Sequence, residues 1–582
     1  MFPYQIRRHF VLCVVAVVLS ACSGNADGGA PTAAGSTPSS ESVAVVSPIA
    51  TQTAVAGVAF SFDPTRNNTT FSDPRATGLT YAIAFSPALC GLSASAGRIS
   101  GTPLAPGTIA VTVVATDATG RSATHAFNIV VQGAAPIISA SANSAQGATV
   151  GQAFTYDATK NGAAFTSGSG AAMTYTVTFT PSAFGLTAAQ GRIGGVPTQP
   201  GIVTTTIVAT DGSGNAASNT FPIVLFGADL VPPTLPATSF SYADATSPLP
   251  AHFFTAGGPG GPGGPGGPGG AVIATDNTPA NNAITNAGAT LGRVLFYDRR
   301  LSVDDRVACA SCHQQQFAFS DTARLSRGVA GGLTGRHSMG LANARFYQRG
   351  RFFWDERAAT LEAQVLQPIQ DAREMGMTLP NVVTKLSVSS YYAPLFQAAF
   401  GTPEITTDRV ARALAQFVRS MVSGTSRFDQ AFTGAAPPNF AAVFTPDELA
   451  GQQLFNGAGG CVRCHTTNAF VSDNVHNTGL DATITDVGAG RGQFKAPSLK
   501  NIAVRPPYMH DGRFRTLEEV VDFYNSGVQN NPQLDNRLRT PGGAVLRLNL
   551  SFAQRNQLVA FMKTLTDEAF LVNPKYGDPF AR

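Results

Sequence analysis

Cys309-Ala310-Ser311-Cys312-His313 and Cys461-Val462-Arg463-Cys464-His465 are two copies of one pattern, and their reading decides the fold of the half that holds them. Two thiols three residues apart can add to the two vinyl groups of one porphyrin. The imidazole that follows then reaches the iron as proximal ligand. Two other readings of Cys-x-x-Cys compete. A zinc knuckle needs four converging ligands and no fixed His after the second Cys. A thioredoxin-like redox pair normally follows a strand in a βαβ pattern, which these flanks lack. The two His-terminated copies therefore read as sites for two covalently bound c-type haems, one on Cys309, Cys312 and His313, the other on Cys461, Cys464 and His465.

Outward from both motifs the periodicity is helical. Leu291, Val294 and Leu295 share a face before the first motif, and Leu295-Phe296 leads to it as Leu454-Phe455 leads to the second. Thr445 suits an N-cap, Pro446 the first helical position and Glu448 the closing residue of a capping box, with Phe444 and Leu449 placed for a hydrophobic staple. A last helix is expected from about Ser551 to Thr566, with Leu558, Phe561 and Leu565 on one side. Two mainly α, cytochrome-c-like domains follow, over 284–440 and 441–582.

The preceding part of the chain is different. Ala54-Val55-Ala56-Gly57 returns as Ala148-Thr149-Val150-Gly151, Gly97-Arg98-Ile99 as Gly191-Arg192-Ile193, and Ala115-Thr116-Asp117 as Ala209-Thr210-Asp211, all at one offset. That is a tandem duplication. Alternating runs such as Thr80–Phe85 and Ile109–Val114, broken by Gly, Pro and Asp, predict two all-β sandwiches at 48–133 and 134–228. They resemble the immunoglobulin-like or cadherin-like modules of bacterial surface proteins. Asp117 and Asp211 read as turn formers, with calcium contact as the alternative. Residues 229–283, with the Gly-Gly-Pro repeats of 257–270, read as a linker and mobile spacer.

At the start, Arg7, Arg8 and His9 precede an apolar run from Phe10 to Val18 and then Leu19-Ser20-Ala21-Cys22. A basic segment, a short apolar run and small residues describe a secretory signal over 1–21. Leu-Ser-Ala-Cys resembles a bacterial lipobox, so Cys22 is expected to carry lipid and 22–47 to be a flexible tether. An exported protein, anchored in the periplasm or outer membrane, is the expectation. Cys90, with no evident disulfide partner, reads as a small buried hydrophobe. A net charge of +4 with 13% charged residues and no basic stripe excludes a nucleic-acid binder.

From about Leu291 to Thr566 the sequence resembles the bacterial di-haem cytochrome c peroxidase family, including its MauG-like branch. The resemblance rests on Leu291–Asp298, the two CxxCH motifs, Phe353-Trp354-Asp355-Glu356-Arg357-Ala358, Glu374-Met375-Gly376 and Pro507-Tyr508-Met509-His510-Asp511-Gly512. It implies His313 as proximal ligand of a peroxidatic haem and His465 of an electron-transfer haem. Trp354 is implied as an aromatic relay between the haems, and Gln364 and Glu374 as polar residues of the peroxide pocket. Without the resemblance, a core position is the alternative for Trp354, and Glu374 reads as a solvated charge.

Two departures bear on mechanism. Where peroxidases that must first be reduced carry a His over the peroxidatic iron, this chain has Val329, and the next His is His337. The resting iron is therefore expected open. His337 also replaces an Asn that in the family ligates an interdomain calcium, which leaves calcium in question. It reads as a shifted distal ligand or a plain surface His. On the far side of the second haem the family often has Met, whereas Tyr524 stands here, as in the MauG-like branch; phenolate favours ferric iron. Tyr524 is the expected axial ligand of the second haem, with Met509 as the alternative.

The expected function is reduction of hydrogen peroxide, with electrons from a small cytochrome c or cupredoxin. The alternatives are MauG-like oxidation of a partner protein or organic substrate, and a surface electron-transfer cytochrome without turnover.

Overall fold

The computed structural model describes residues 42–580 except 134–136, 140, 169–171, 213, 257–270, 433–436 and 472–473. The signal segment, Cys22, nearly all of the tether and the Gly-Gly-Pro run lie outside the described residues. The chain divides between Ala134 and Ala135 into two compact units.

The first unit is a sandwich. Its four-stranded sheet runs in the order Gln52–Val55, Ser122–Gln132, Gly107–Asp117, Leu79–Ser86, and the first pair is parallel. The second sheet is Phe60–Phe62, Arg98–Gly101, Leu92–Ser95. Period-two alternation puts Ile109, Val111, Val113 and Ala115 inside while their neighbours face out. Cys90 is buried among them.

The second unit opens with the repeat of that sandwich. Gln146–Thr149, Ala216–Phe226, Gly201–Asp211 and Met173–Thr180 reproduce the larger sheet in the same order, with the same parallel first pair. Asp117 accepts from the backbone N–H groups of Thr119 and Arg121 (2.9 and 3.0 Å), and Asp211 from that of Asn215 (3.0 Å). Both carboxylates close hairpin turns, as the turn reading expects.

This second sandwich is built onto the helical half. The N–H of Gly227, just past its last strand, donates to Asp305 Oδ2 (2.9 Å), and Asp305 Oδ1 accepts from Lys385 Nζ (2.6 Å), with both charged side chains fully buried. The Arg300 guanidinium lies over Phe226.

The expected linker at 229–283 is a misreading of its described residues. Tyr242, Phe253, Val272 and Asn282 are buried in the helical half. His252 Nε2 meets Asp429 Oδ1 at 3.0 Å, and Asp244 and Asp276 both pair with Arg345. Small polar residues hid a strap anchored by a few large side chains, among them Tyr242 and Phe253. The C-terminus also departs from its expected place. Phe570, Tyr576 and Phe580 complete the core around the first haem motif rather than the second.

The helical half holds two versions of one crossing. Helix α1 (Asn286–Tyr297) packs on α2 (Thr407–Arg419), and α3 (Pro446–Asn456) packs on α4 (Phe552–Lys563). Thr445 caps α3 and Glu448 closes the box, while Ser551 and Gln554 do the same for α4. Each crossing is tight because of a glycine. A Cβ on Gly292 would sit 2.0 Å from the Ala413 carbonyl oxygen, and one on Gly451 would sit 1.9 Å from that of Gln557.

Replacing Gly451 with Ala should gain about 0.8 kcal/mol of helix propensity but force the two backbones apart. Overpacking of this kind costs about 1–3 kcal/mol, so a net loss in stability is expected. Urea unfolding of the purified variant checks it; a midpoint equal to or above that of the parent would show the crossing to be slack.

Candidate active site

Each CxxCH motif sits in a single turn of helix behind one of these crossings. His313 N–H donates to Cys309 O (3.0 Å) and His465 N–H to Cys461 O (3.1 Å), which turns each imidazole back beside its thiols. His313 Nδ1 lies 2.8 Å from the Phe319 carbonyl and His465 Nδ1 3.0 Å from that of Phe470. A carbonyl can only accept, so Nδ1 carries the proton and Nε2 keeps its lone pair. A metal-ligating imidazole needs that tautomer. Burial lowers the proton affinity of both rings, and His465, with Arg505 and His476 also near, is pulled down to about 4.

The thiols complete the test. All four are free, and burial pushes Cys309 and Cys461 up to about 12 and Cys312 to about 11. A redox-active pair works through a thiolate of lowered pKa, the opposite direction from these buried thiols. No group of three or more His, Cys, Asp or Glu side chains gathers as a metal cage among the described residues. Free paired thiols beside an imidazole with an open Nε2 fit covalent haem in both places.

Two cavities open at the motifs. The first, of about 760 Å³, is lined by Cys309, Cys312 and His313 together with Trp354, Gln364 and Glu374. The second, of about 220 Å³, is lined by Cys461, Cys464 and His465 together with Tyr524 and Met509. The two haem-attachment sets, Trp354, Gln364, Glu374 and Tyr524 are thus each found on the wall of one or other cavity, while Cys22 lies outside the described residues.

Gln364 is on the short helix Leu361–Val365, capped by Thr360. Glu374 follows in a loop whose N–H donates to Asp371 O (3.0 Å) and whose carbonyl accepts from Val329 N (2.9 Å). The segment around Val329 is pressed onto this loop so closely that a Cβ on Gly328 would meet the carbonyl oxygens of Arg373 and Glu374 at 2.1 and 2.4 Å. Burial, then the charge of Asp371, raises the Glu374 pKa above its ordinary value, while Arg357 and Arg373 oppose them. It is not a solvated surface charge.

Trp354 lines both cavities, as do His337, Lys495 and Pro497. Its indole N–H donates to His337 O (2.8 Å), its carbonyl accepts from Lys495 N (2.8 Å), and its ring meets His510 edge-on at 6.5 Å. His510 is in turn stacked on Phe494 at 3.6 Å. His337 is buried, which corrects the surface reading. Its Nδ1 lies 3.1 Å from Ala323 O and its Nε2 3.4 Å from Ser320 Oγ, so the ring is engaged by the protein on both nitrogens.

Tyr524 lies in one π-helical turn, Phe523–Gly527, that continues the helix Leu517–Asp522. Such a turn re-aims one side chain and is frequent at functional sites. Burial, followed by the nearby thiols, keeps the phenol protonated well above its usual range, with a hydrogen bond to Thr478 opposing them. Met509 packs with Phe523, Val528 and Leu534.

Two groups on these walls were missed. Arg357 stacks over Phe353 (3.5 Å) and faces the first cavity; its place beside Trp354 in the chain was the available signal. The second is His476, whose Nδ1 lies 2.7 Å from Asp535 Oδ2 with Arg537 Nη1 3.3 Å from Nε2. Nothing local in the sequence joins positions so far apart. Burial opposes the charge on His476, but Asp535 and the Cys464 thiol outweigh it and raise the pKa to about 9.

A raised pKa stabilises the fold fully below the unfolded value of about 6.5, and the contribution fades as pH rises through about 9. Asp535→Asn should therefore destabilise the protein by about 1–3 kcal/mol at pH 6, with the difference shrinking toward pH 9. Thermal melts across that range read it, and a gap independent of pH would contradict it.

The matches to known proteins divide as the fold does. A family described as di-haem cytochrome c peroxidase matches residues 286–437, and an Ig domain family matches 42–132 and 135–225. The methylamine utilization protein MauG of Methylorubrum extorquens is 37% identical over 303 residues, which is 50% of this chain and 81% of that protein. The cytochrome c551 peroxidase of Nitrosomonas europaea is 30% identical, over 48% of this chain and 80% of that protein. Among solved structures, a MauG-like protein associated with microbial copper homeostasis is similar over 53% of this chain and 97% of its own, at 31% identity and a TM-score of 0.46.

Proposed function

The chain belongs to the family of di-haem cytochrome c peroxidases and MauG proteins, and from that we propose that it reduces hydrogen peroxide at the His313 centre with electrons passed from the His465 centre. It is an oxidoreductase with peroxide as acceptor. The observation that carries the proposal is the first cavity, where Glu374 and Gln364 share the wall with His313 while Trp354 belongs to both cavities.

When bound, haem supplies the redox-active iron and the capacity to hold oxidising equivalents. The chain supplies the rest. Splitting peroxide needs a base for one oxygen's proton and an acid for the departing hydroxide, and Glu374, with its raised pKa, can serve as both. The Gln364 amide offers a fixed donor to the charge that develops on the leaving oxygen. Trp354, held by hydrogen bonds from both sides, is the aromatic bridge for electrons. In balance, one peroxide takes two electrons and two protons and leaves as two waters. A small cytochrome c or cupredoxin is the proposed donor.

A second reading is favoured by Tyr524 beside the second motif. As an axial phenolate it would stabilise ferric iron there, and the oxidising equivalents would then be spent on a partner protein or organic substrate, as the MauG resemblance suggests. The alternative of a plain electron-transfer cytochrome would leave Glu374 idle.

Mixing the ferric protein with a slight excess of peroxide and following the Soret band by stopped flow tests the proposal. Rapid change is expected, at a rate that rises with pH as Glu374 ionises. Glu374→Gln should slow it by about 10²–10⁴-fold and flatten the pH profile. No reaction in the ferric state or after one-electron reduction would leave only the electron-transfer reading. Oxidation of added reduced cytochrome c, against none, separates the peroxidase from the MauG-like reading.

We also propose export and lipid attachment at Cys22, on the basis of the lipobox-like Leu19-Ser20-Ala21-Cys22. Cys22→Ala should move the protein from the membrane fraction to the soluble one while both haems remain attached.

A further inference from the structure

Buried cations in this chain are as a rule paired with carboxylates: Lys385 with Asp305, Lys500 with Asp429, Arg300 with Asp298, Arg345 with Asp276 and Arg419 with Glu362. The rule has a physical basis, because an unpaired charge taken out of water costs several kcal/mol. Arg505 breaks it. It is 7% exposed and lines the second cavity. Its guanidinium backs onto Gly340 of the first cavity's wall, with Nη1 3.2 Å from where a Cβ there would stand. One N–H donates to the Ser498 carbonyl, and no carboxylate among the described residues pairs with the group.

Two other exceptions differ. Arg293 lines neither cavity, with Nε on the Gly577 carbonyl and its guanidinium over Phe240. Lys495 has its ammonium over the rings of Tyr347 and Phe352, at 4.0 and 4.6 Å. Arg505 has neither a ring nor an acid. Its charge is felt at His465 and at His337, and with no counter-charge its own pKa is pulled down to about 10 by burial.

Haem brings the missing chemistry, since each porphyrin carries two propionate carboxylates. We propose that Arg505 is the counter-charge for a propionate of the haem on Cys461, Cys464 and His465, and that through this pair it holds that haem's reduction potential up. The inference rests on the di-haem reading above. Arg505 is a positioning residue, not a catalytic one. A guanidinium suits the task because its planar fork can meet both carboxylate oxygens. A fixed cation beside the centre also favours the state with one more electron.

The test compares the full protein with Arg505→Gln and Arg505→Lys. Mass spectrometry first counts covalent haems, and spectroelectrochemical titration then reads both potentials. The second haem's potential should fall in Arg505→Gln and return most of the way in Arg505→Lys, while the first haem's stays unchanged. Loss of the second haem from the Gln variant alone, with retention in the Lys variant, also fits. Unchanged potentials in a Gln variant carrying both haems would overturn the inference, as would a shift confined to the first haem or equal haem loss in both variants. A parent protein without covalent haem would instead overturn the di-haem reading itself.

Discussion

One hydrogen bond made twice holds this structure's chemistry in place: the imidazole N–H of a motif histidine to the carbonyl of a phenylalanine a few residues on. Both carbonyls can be aimed only because Phe319 and Phe470 take left-handed backbone, at φ 60° and 53°. A bulky residue there costs on the order of 1–2 kcal/mol. The surrounding aromatic packing offsets it. Phe319 meets Phe296 at 5.8 Å and Phe470 meets Phe455 at 5.7 Å, and those partners lie against Phe417 and Phe561 of the crossing helices. Helix crossing, phenylalanine and histidine tautomer therefore form one chain of cause in each half.

The two halves share a wall, and most of the functional interest lies in it. Trp354 is fixed there by its indole N–H and by its carbonyl, so its ring has little freedom to leave either cavity. The same wall carries Lys495 and Arg505, two buried basic side chains with no ion pair among the described residues. Groups of that kind are tolerable beside a prosthetic group that carries its own carboxylates, and they shift the energy of any electron that crosses.

The second sandwich is fastened to the helical half by charges that water does not reach. Lys385 and Asp305 are both fully buried, and the remaining oxygen of Asp305 accepts from Gly227 at the end of the sandwich. Such a pair adds little net stability but makes the wrong arrangement expensive, because either partner alone would be an uncompensated charge. The strap between sandwich and haem half works similarly, with Asp244, Asp276 and His252 each placed against a fixed partner.

Short-range pattern by itself determined a large share of this protein. The duplicated sandwiches followed from alternation and a constant offset, the haem attachments from two pentapeptides, and the caps of α3 from Thr445 and Glu448, because each depends on neighbours in the chain. Gln364, Glu374 and Tyr524 were legible only through family resemblance. What tertiary structure alone decided were the relations between distant positions. The strap formed by the described residues of 229–283, the C-terminal return to the first haem core, the burial of His337, the pairing of His476 with Asp535 and the isolation of Arg505 all arise from contacts across long stretches of sequence. Their energies come from burial and from charge meeting or missing its partner, and neither can be read from residues taken in order.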